Sequence, residues 1–291
     1  MKSNAVSKQK DESTTSINVL SAMEKTPTHA WDLEVFEKQH WIKSIFLRNS
    51  KSKYPVKLLR YWFTFHLIQQ EYERLGRPLR VCEIGVDRGQ MLKFMQDSGF
   101  DQYVEWTAVD VIIQPELETV GYTHIVSANV EADEFSLIQK YDVIITLHFL
   151  EHLFQPEKFV SQLRKFLTDD GVIIGGFPVT PKRFEAWWED RLRAKAKPFG
   201  HVSVFSPARV RRMANKAGME TEFLSGAFLM RKSDSFIENS KRWMKFNLWF
   251  GSRFPSVGGE IYWKLRKSAK VIKLYPALFC MGFPELALVE L

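Results

Sequence analysis

Three short stretches of this chain hold the residues whose types and spacing could do chemistry. The first is Val81–Leu92, VCEIGVDRGQML, where an apolar strand-like run meets a turn with Gly85 and Gly89 and then a helix-like run. Glycines there let the backbone turn sharply and approach a ligand with no Cβ in the way. The free N–H groups at the helix start suit a carboxylate or phosphate. A nicotinamide fingerprint would need glycine at 85, 87 and 90, and Asp87 and Gln90 break it. Glu83, at the end of the strand, can orient the turn or, through water, an ammonium group. The second stretch, VEWTAVD, ends in Asp110, 21 residues after Gly89. A carboxylate at that strand tip can accept hydrogen bonds from both hydroxyls of a ribose; the plainer role is a helix N-cap.

The third stretch is His148-Phe149-Leu150-Glu151-His152, directly after a fourth strand-like run. Glu151 and His152 could simply brace the next helix. His148 or His152 could be a general base, since imidazole titrates near neutrality; His148, next to the strand, is preferred. A divalent metal is the third reading, although no metal is assigned. His-x-x-Glu-His also matches an inverted zinc-protease signature, but nothing else in the chain supports proteolysis. His201, in PFGHVSVFSP, is a further candidate, as a loop anchor or as a catalytic group.

The elements that must position these residues alternate. Strand-like runs at Leu79–Ile84, Val104–Val109, His124–Ser127, Tyr141–Leu147 and Val172–Phe177 interleave with helices expected at Gln90–Asp97, Pro115–Val120, Glu131–Gln139 and Pro156–Leu167. That alternation predicts a doubly wound α/β fold around a parallel sheet. A helix at Pro207–Ala217, a strand near Glu222–Leu229 and a closing strand at Glu285–Leu291 complete it. Upstream, helical spacing predicts helices at Trp31–Arg48 and Val56–Leu75. The expected organisation is a disordered tail (1–28), a helical N-terminal cap (29–78) and one domain (79–291) with a basic aromatic insert at 230–275.

In VCEIGVDRGQ, WTAVD, YDVIITLHFLEHLFQPEKFVSQLRKFLTDDGVIIGGFP and PFGHVSVFSPARVRRMANKAGME, the chain resembles the class I S-adenosylmethionine-dependent methyltransferases. The similarity is to small-molecule methyltransferases with a Leu-Glu-His element after strand four. It spans about residues 80–222, roughly half of the chain. The resemblance implies a Rossmann-like sheet ordered 3-2-1-4-5-7-6, mostly parallel, with an antiparallel last strand. S-adenosylmethionine would lie near Glu83, Gly85, Val86, Asp87, Gly89, Asp110, Val111, Asn129 and Leu147. Two departures matter: Asp87 stands where the family has its middle glycine, and Ala128-Asn129 where it has an acid after strand three. Adenine contact would then fall to Asn129 or to a backbone N–H. Metal-dependent relatives, among them ubiquinone-pathway O-methyltransferases and small-RNA 3′-end methyltransferases, carry Glu-x-x-Glu-His. His148 replaces the first Glu here, which would favour a borderline metal over Mg²⁺.

Composition narrows the partners. The net charge of +7 is unevenly placed: residues 80–180 hold 7 basic against 16 acidic side chains, and residues 181–275 hold 21 against 8. Trp243, Trp249 and Trp263 stand among the cations of the insert. Such a segment could pack on the core, line an acceptor pocket, or lie peripherally on an anionic membrane. Two cysteines make no disulfide framework, and neither a secretory signal nor an apolar run of bilayer length is visible; the expectation is a cytoplasmic enzyme. The function expected is methyl transfer to an O or N atom of a small-molecule acceptor, such as a sugar or lipid-linked intermediate. RNA as acceptor, with no RNA-binding module visible, and a cofactor-binding scaffold without catalysis are the alternatives.

Overall fold

The computed structural model describes residues 56–132, 134–229 and 236–268. The expected tail, the helix at Trp31–Arg48 and the closing strand at Glu285–Leu291 lie outside the described residues.

The described residues form a seven-stranded sheet ordered β3-β2-β1-β4-β5-β7-β6. Its strands are β1 (Leu79–Ile84), β2 (Val104–Asp110), β3 (His124–Ser127), β4 (Tyr141–Leu147), β5 (Leu167–Pro178), β6 (Met219–Gly226) and β7 (Glu260–Lys267). β1 to β5 pair in parallel, and β7 runs antiparallel between β5 and β6. β1 and β4 are nearly continuous apolar runs because helices cover both faces of the sheet.

α1 (Leu59–Leu75), α2 (Gln90–Asp97) and α7 (Lys241–Arg253) contribute Trp62, Phe63, Phe94, Met244 and Leu248 to one apolar core. α4 (Pro156–Leu163) and α6 (Pro207–Lys216) contribute Phe159, Val160, Val210 and Met213 to the other. α3 (Leu117–Val120) and α5 (Glu185–Arg193) are short and peripheral. The helix ends follow local chemistry. α1 stops at Gly76, in the left-handed region at φ 64°. α6 starts with Pro207 behind Ser206, whose hydroxyl accepts from the Arg209 N–H. No helix among the described residues is long and apolar enough to cross a membrane.

Three expectations need correction. The described residues of 131–139 form no helix: the Asn129 side-chain oxygen accepts from the Glu131 N–H, a local turn that competes with helix initiation. The antiparallel strand is Glu260–Lys267, inside the segment read as an insert. Its cations are internal. Lys264 is 4% exposed and pairs with Glu71 at 2.9 Å and Glu222 at 2.8 Å, while Arg266 pairs with the same two acids. Lys264 and Arg266 are therefore committed inside the fold and not offered to a surface ligand. The tryptophan-containing stretch after β5 also contains a helix, α5, that was not foreseen.

Candidate functional site

Parallel strands deliver their C-terminal ends to one edge, and the candidate residues gather there. A cavity of about 490 Å³ opens at the tips of β1, β2 and β3. Asp110, Val111, Ala128 and Asn129 line one side, and Phe149, His152, Leu153 and the Pro198–Gly200 segment line the other. Gly85 (φ 77°) and Gly89 (φ 67°) take the left-handed conformations that the turn requires. A Cβ on Gly85 would collide with the Phe149 ring, so that position must stay bare.

Asp110 is held from the backbone. Its Oδ1 accepts from the N–H of Val111 at 2.7 Å and Ile112 at 3.3 Å, and its Oδ2 accepts from the Asp87 N–H at 3.1 Å. A carboxylate has about four acceptor positions, two on each oxygen, so Oδ2 can still take a hydroxyl from the cavity. Asp87, where the family has glycine, adopts φ 49° without one. Among the described residues, only Asp87, His148 (φ 52°) and Phe199 (φ 59°) are non-glycine residues at positive φ. Phe199 lines this cavity, Asp87 donates to Asp110 at its wall and His148 precedes the lining Phe149; strained backbone of that kind collects at functional sites.

Glu83 does not line the cavity. Its Oε2 accepts from Trp106 Nε1 at 3.2 Å and from the Tyr122 hydroxyl at 3.0 Å inside the core. Burial pushes its pKa up to about 8, against the lowering effect of those two hydrogen bonds. Val86 packs with Ala108 and Leu117 in a small separate cluster, and Leu147 packs, half-buried, against the core that holds α1 and α2.

His148 sits between two acids. Nδ1 is 3.4 Å from Glu151 Oε1, and Nε2 is 3.3 Å from Glu260 Oε2. Burial alone would depress its pKa, but these carboxylates outweigh burial and raise it. Glu260 also accepts from Arg60 and from the Tyr262 hydroxyl; burial would raise its pKa, yet His148 and Arg60 hold it down at about 2. His148 thus ties the post-β4 turn to β7 and α1 and is not among the residues lining the cavity.

His152 does line it, and His201 comes to meet it, with ring centroids 4.8 Å apart. The approach is built by backbone: the Glu151 carbonyl accepts from the N–H groups of Val202 (2.8 Å) and Ser203 (3.0 Å). α5 clamps the same loop, through Arg193 Nε to the Val202 carbonyl at 3.0 Å and the Val204 N–H to Glu189. One ligand-type atom each from Glu151, His152 and His201 lie within 4.8 Å of one another. Burial lowers the His201 pKa, and the neighbouring Glu151 only partly restores it. A smaller cavity of about 240 Å³ adjoins His201, lined by Trp188, Arg191, Lys195 and Lys197.

The cavity fits a nucleoside: a backbone-fixed carboxylate for the ribose, and Asn129 with apolar walls for a base. Asp110, Val111 and Asn129 would hold S-adenosylmethionine; the Gly85–Gly89 turn is not among the lining residues and braces Asp110 through the Asp87 N–H.

A family model described as a methyltransferase domain matches residues 58–222, more than half the chain. No curated protein matches significantly. Among solved structures, one similar fold is the 1,6-didemethyltoxoflavin-N1-methyltransferase of Burkholderia thailandensis, with its acceptor and S-adenosylhomocysteine bound. It is 12% identical with a TM-score of 0.46, covering 90% of this chain and 94% of that one. Another is the N-methyltransferase NodS of Bradyrhizobium japonicum with S-adenosylhomocysteine, at 12% identity and a TM-score of 0.47, covering 81% and 98%. A third is the magnesium protoporphyrin IX methyltransferase of Synechocystis, at 14% and 0.44, covering 72% and 84%. At such identities no residue role carries over.

Proposed function

The chain belongs to the methyltransferase-domain family as a class I S-adenosylmethionine-dependent methyltransferase, and we propose that it methylates an O or N atom of a small-molecule acceptor presented at the His152–His201 wall. The observation that carries this reading is the shared cavity: Asp110 and Asn129 stand on one side and His152 on the other. S-adenosylmethionine supplies an electrophilic methyl group on a sulfonium centre. The protein's part is to align the acceptor atom with it, exclude water and accept a proton.

His152 and His201 are the imidazoles nearest the acceptor side, and His201, its pKa lowered, stays neutral enough to take a proton from a hydroxyl. His148, flanked by two carboxylates, serves to position Glu151. Phe149 over Gly85 and the Pro198–Gly200 segment narrow the cavity. That favours a small acceptor over a polymer. The cations Arg191, Lys195 and Lys197 beside Trp188 suit one with an acidic group, as in a sugar acid or a lipid-linked phosphate. We place the enzyme in the cytoplasm, with peripheral contact to an anionic membrane through α7. Supporting that, Trp243, Phe246, Trp249, Phe250 and Phe254 form a chain of ring contacts on a surface that also carries Arg242, Lys245 and Arg253.

The test is transfer of labelled methyl from the cofactor to an acceptor pool extracted from cells. His152→Ala should lower turnover by about 10²–10⁴ with S-adenosylhomocysteine affinity unchanged. A purified, folded protein that labels nothing would leave the inactive scaffold as the better reading.

A further inference from the structure

Glu151 is 2% exposed, and both of its carboxylate oxygens are sealed from solvent with no donor in hydrogen-bond geometry; His148 Nδ1 only approaches to 3.4 Å. A buried carboxylate left that way is costly unless a cation or donors face it. His148 faces it from one side, and two more imidazoles lie close: one atom each from Glu151, His152 and His201 fall within 4.8 Å of one another. His152 is also oriented for the purpose. Its Nδ1 is 3.2 Å from the Gly200 carbonyl, which can only accept, so the proton sits on Nδ1 and the Nε2 lone pair is free. A ring nitrogen bonded to a backbone carbonyl is the usual outer support of a metal-binding histidine. Backbone hydrogen bonds from Val202 and Ser203 to the Glu151 carbonyl fix His201 beside the other two.

We propose that Glu151, His152 and His201 form a divalent-cation site. Two imidazoles and one carboxylate suit a borderline first-row ion such as Zn²⁺ better than Mg²⁺, which prefers oxygen ligands. Three protein ligands leave a coordination position open. His152 lines the larger cavity and His201 the smaller, so the open position faces the space where the acceptor is placed. The acceptor class that follows is one with an oxygen able to coordinate, a hydroxyl whose pKa the ion lowers, in place of free base catalysis. The acceptor assignment rests on the methyltransferase reading; the cation site does not.

The experiment uses untagged full-length protein stripped with chelator and dialysed. It is titrated by calorimetry with ZnCl₂ and with MgCl₂, and its Co²⁺ form is followed by visible absorption. The expected results are one Zn²⁺ per chain, ligand-field bands on adding Co²⁺, and no saturable heat with Mg²⁺ at the same concentrations. His201→Ala changes an exposed side chain, so the fold should persist by circular dichroism while Zn²⁺ affinity falls by about tenfold or more and the Co²⁺ bands are lost. Folded wild-type protein that binds no Zn²⁺ overturns the proposal. So does unchanged Zn²⁺ binding in both His152→Ala and His201→Ala, and so does a preference for Mg²⁺. S-adenosylhomocysteine binding is measured on the same metal-free sample. If that fails while Zn²⁺ binds at these residues, the methyltransferase reading falls and the cation site stands.

Discussion

Glu83, next to the last residue of β1, is an acid that the family resemblance assigns to the cofactor, yet its carboxyl group is spent on Trp106 and Tyr122. Its folded pKa, pushed up by burial to about 8, lies above that of an unfolded glutamate, near 4.3. The folded state therefore binds the extra proton. Stability is unaffected below about pH 4, and falls as pH rises from there to about 8. Glu83→Gln keeps an acceptor for both donors without the titration. It should raise stability by up to about 3 kcal/mol at pH 7 and by nothing measurable at pH 4, as read by urea denaturation at the two pH values. A gain of equal size at both would mean that Glu83 is ionised in the fold. At this scale the chain was only partly legible. Gly85, Asp110 and Asn129 come to one edge because each stands at the tip of a strand with a clear local signal and β1, β2 and β3 pair in parallel. The pairing of His148 with Glu260 is not local, since its partners are brought from 112 residues apart by β7 lying beside β5.

Elements with local signals are where the sequence places them: β1, β3, β4 and α2 match to the residue. β7 hid because its cations look like a solvated surface, whereas Glu71 on α1 neutralises Lys264 and Arg266 from within. α5 hid because none of its residues is buried and its contribution is polar, holding the His201 loop through Arg193 and Glu189. The Glu71 network joins α1 to the antiparallel end of the sheet and is the element-scale contact with the largest expected effect. Burial works to raise the Glu71 pKa, and Lys264, Arg266 and Arg74 hold it below the usual range. Its stabilisation is thus present above the unfolded value near 4.3 and is lost as pH falls through the lower folded value. Glu71→Gln leaves buried Lys264 short of charge and should cost about 3–5 kcal/mol at pH 7. Thermal melts should show this deficit shrinking as pH drops below about 4. A deficit that is the same at pH 3 would assign Glu71 a packing role only.

Over the whole molecule, the strand-tip edge gathers the catalytic candidates while α7 turns an aromatic, cationic surface outward. With Lys264 and Arg266 committed internally, Arg242, Lys245 and Arg253 are the charges of this segment to test for lipid contact. Each contributes about 1 kcal/mol near an anionic leaflet. The protein should float with vesicles containing anionic lipid at low salt, less so at high salt, and Trp249→Ala should weaken the association. Protein that stays at the bottom of the gradient at low salt would make this surface an ordinary exposed face. The central claim, that the strand-tip cavity binds the methyl donor, has a more direct measurement. Calorimetry of the full-length protein with S-adenosylhomocysteine should give saturable one-site binding, with none for NAD. Asp110→Ala should weaken that binding by about 1–3 kcal/mol, because a ribose hydroxyl loses a charged acceptor. Absence of binding by folded wild-type protein, or wild-type affinity in the Asp110→Ala variant, would contradict it.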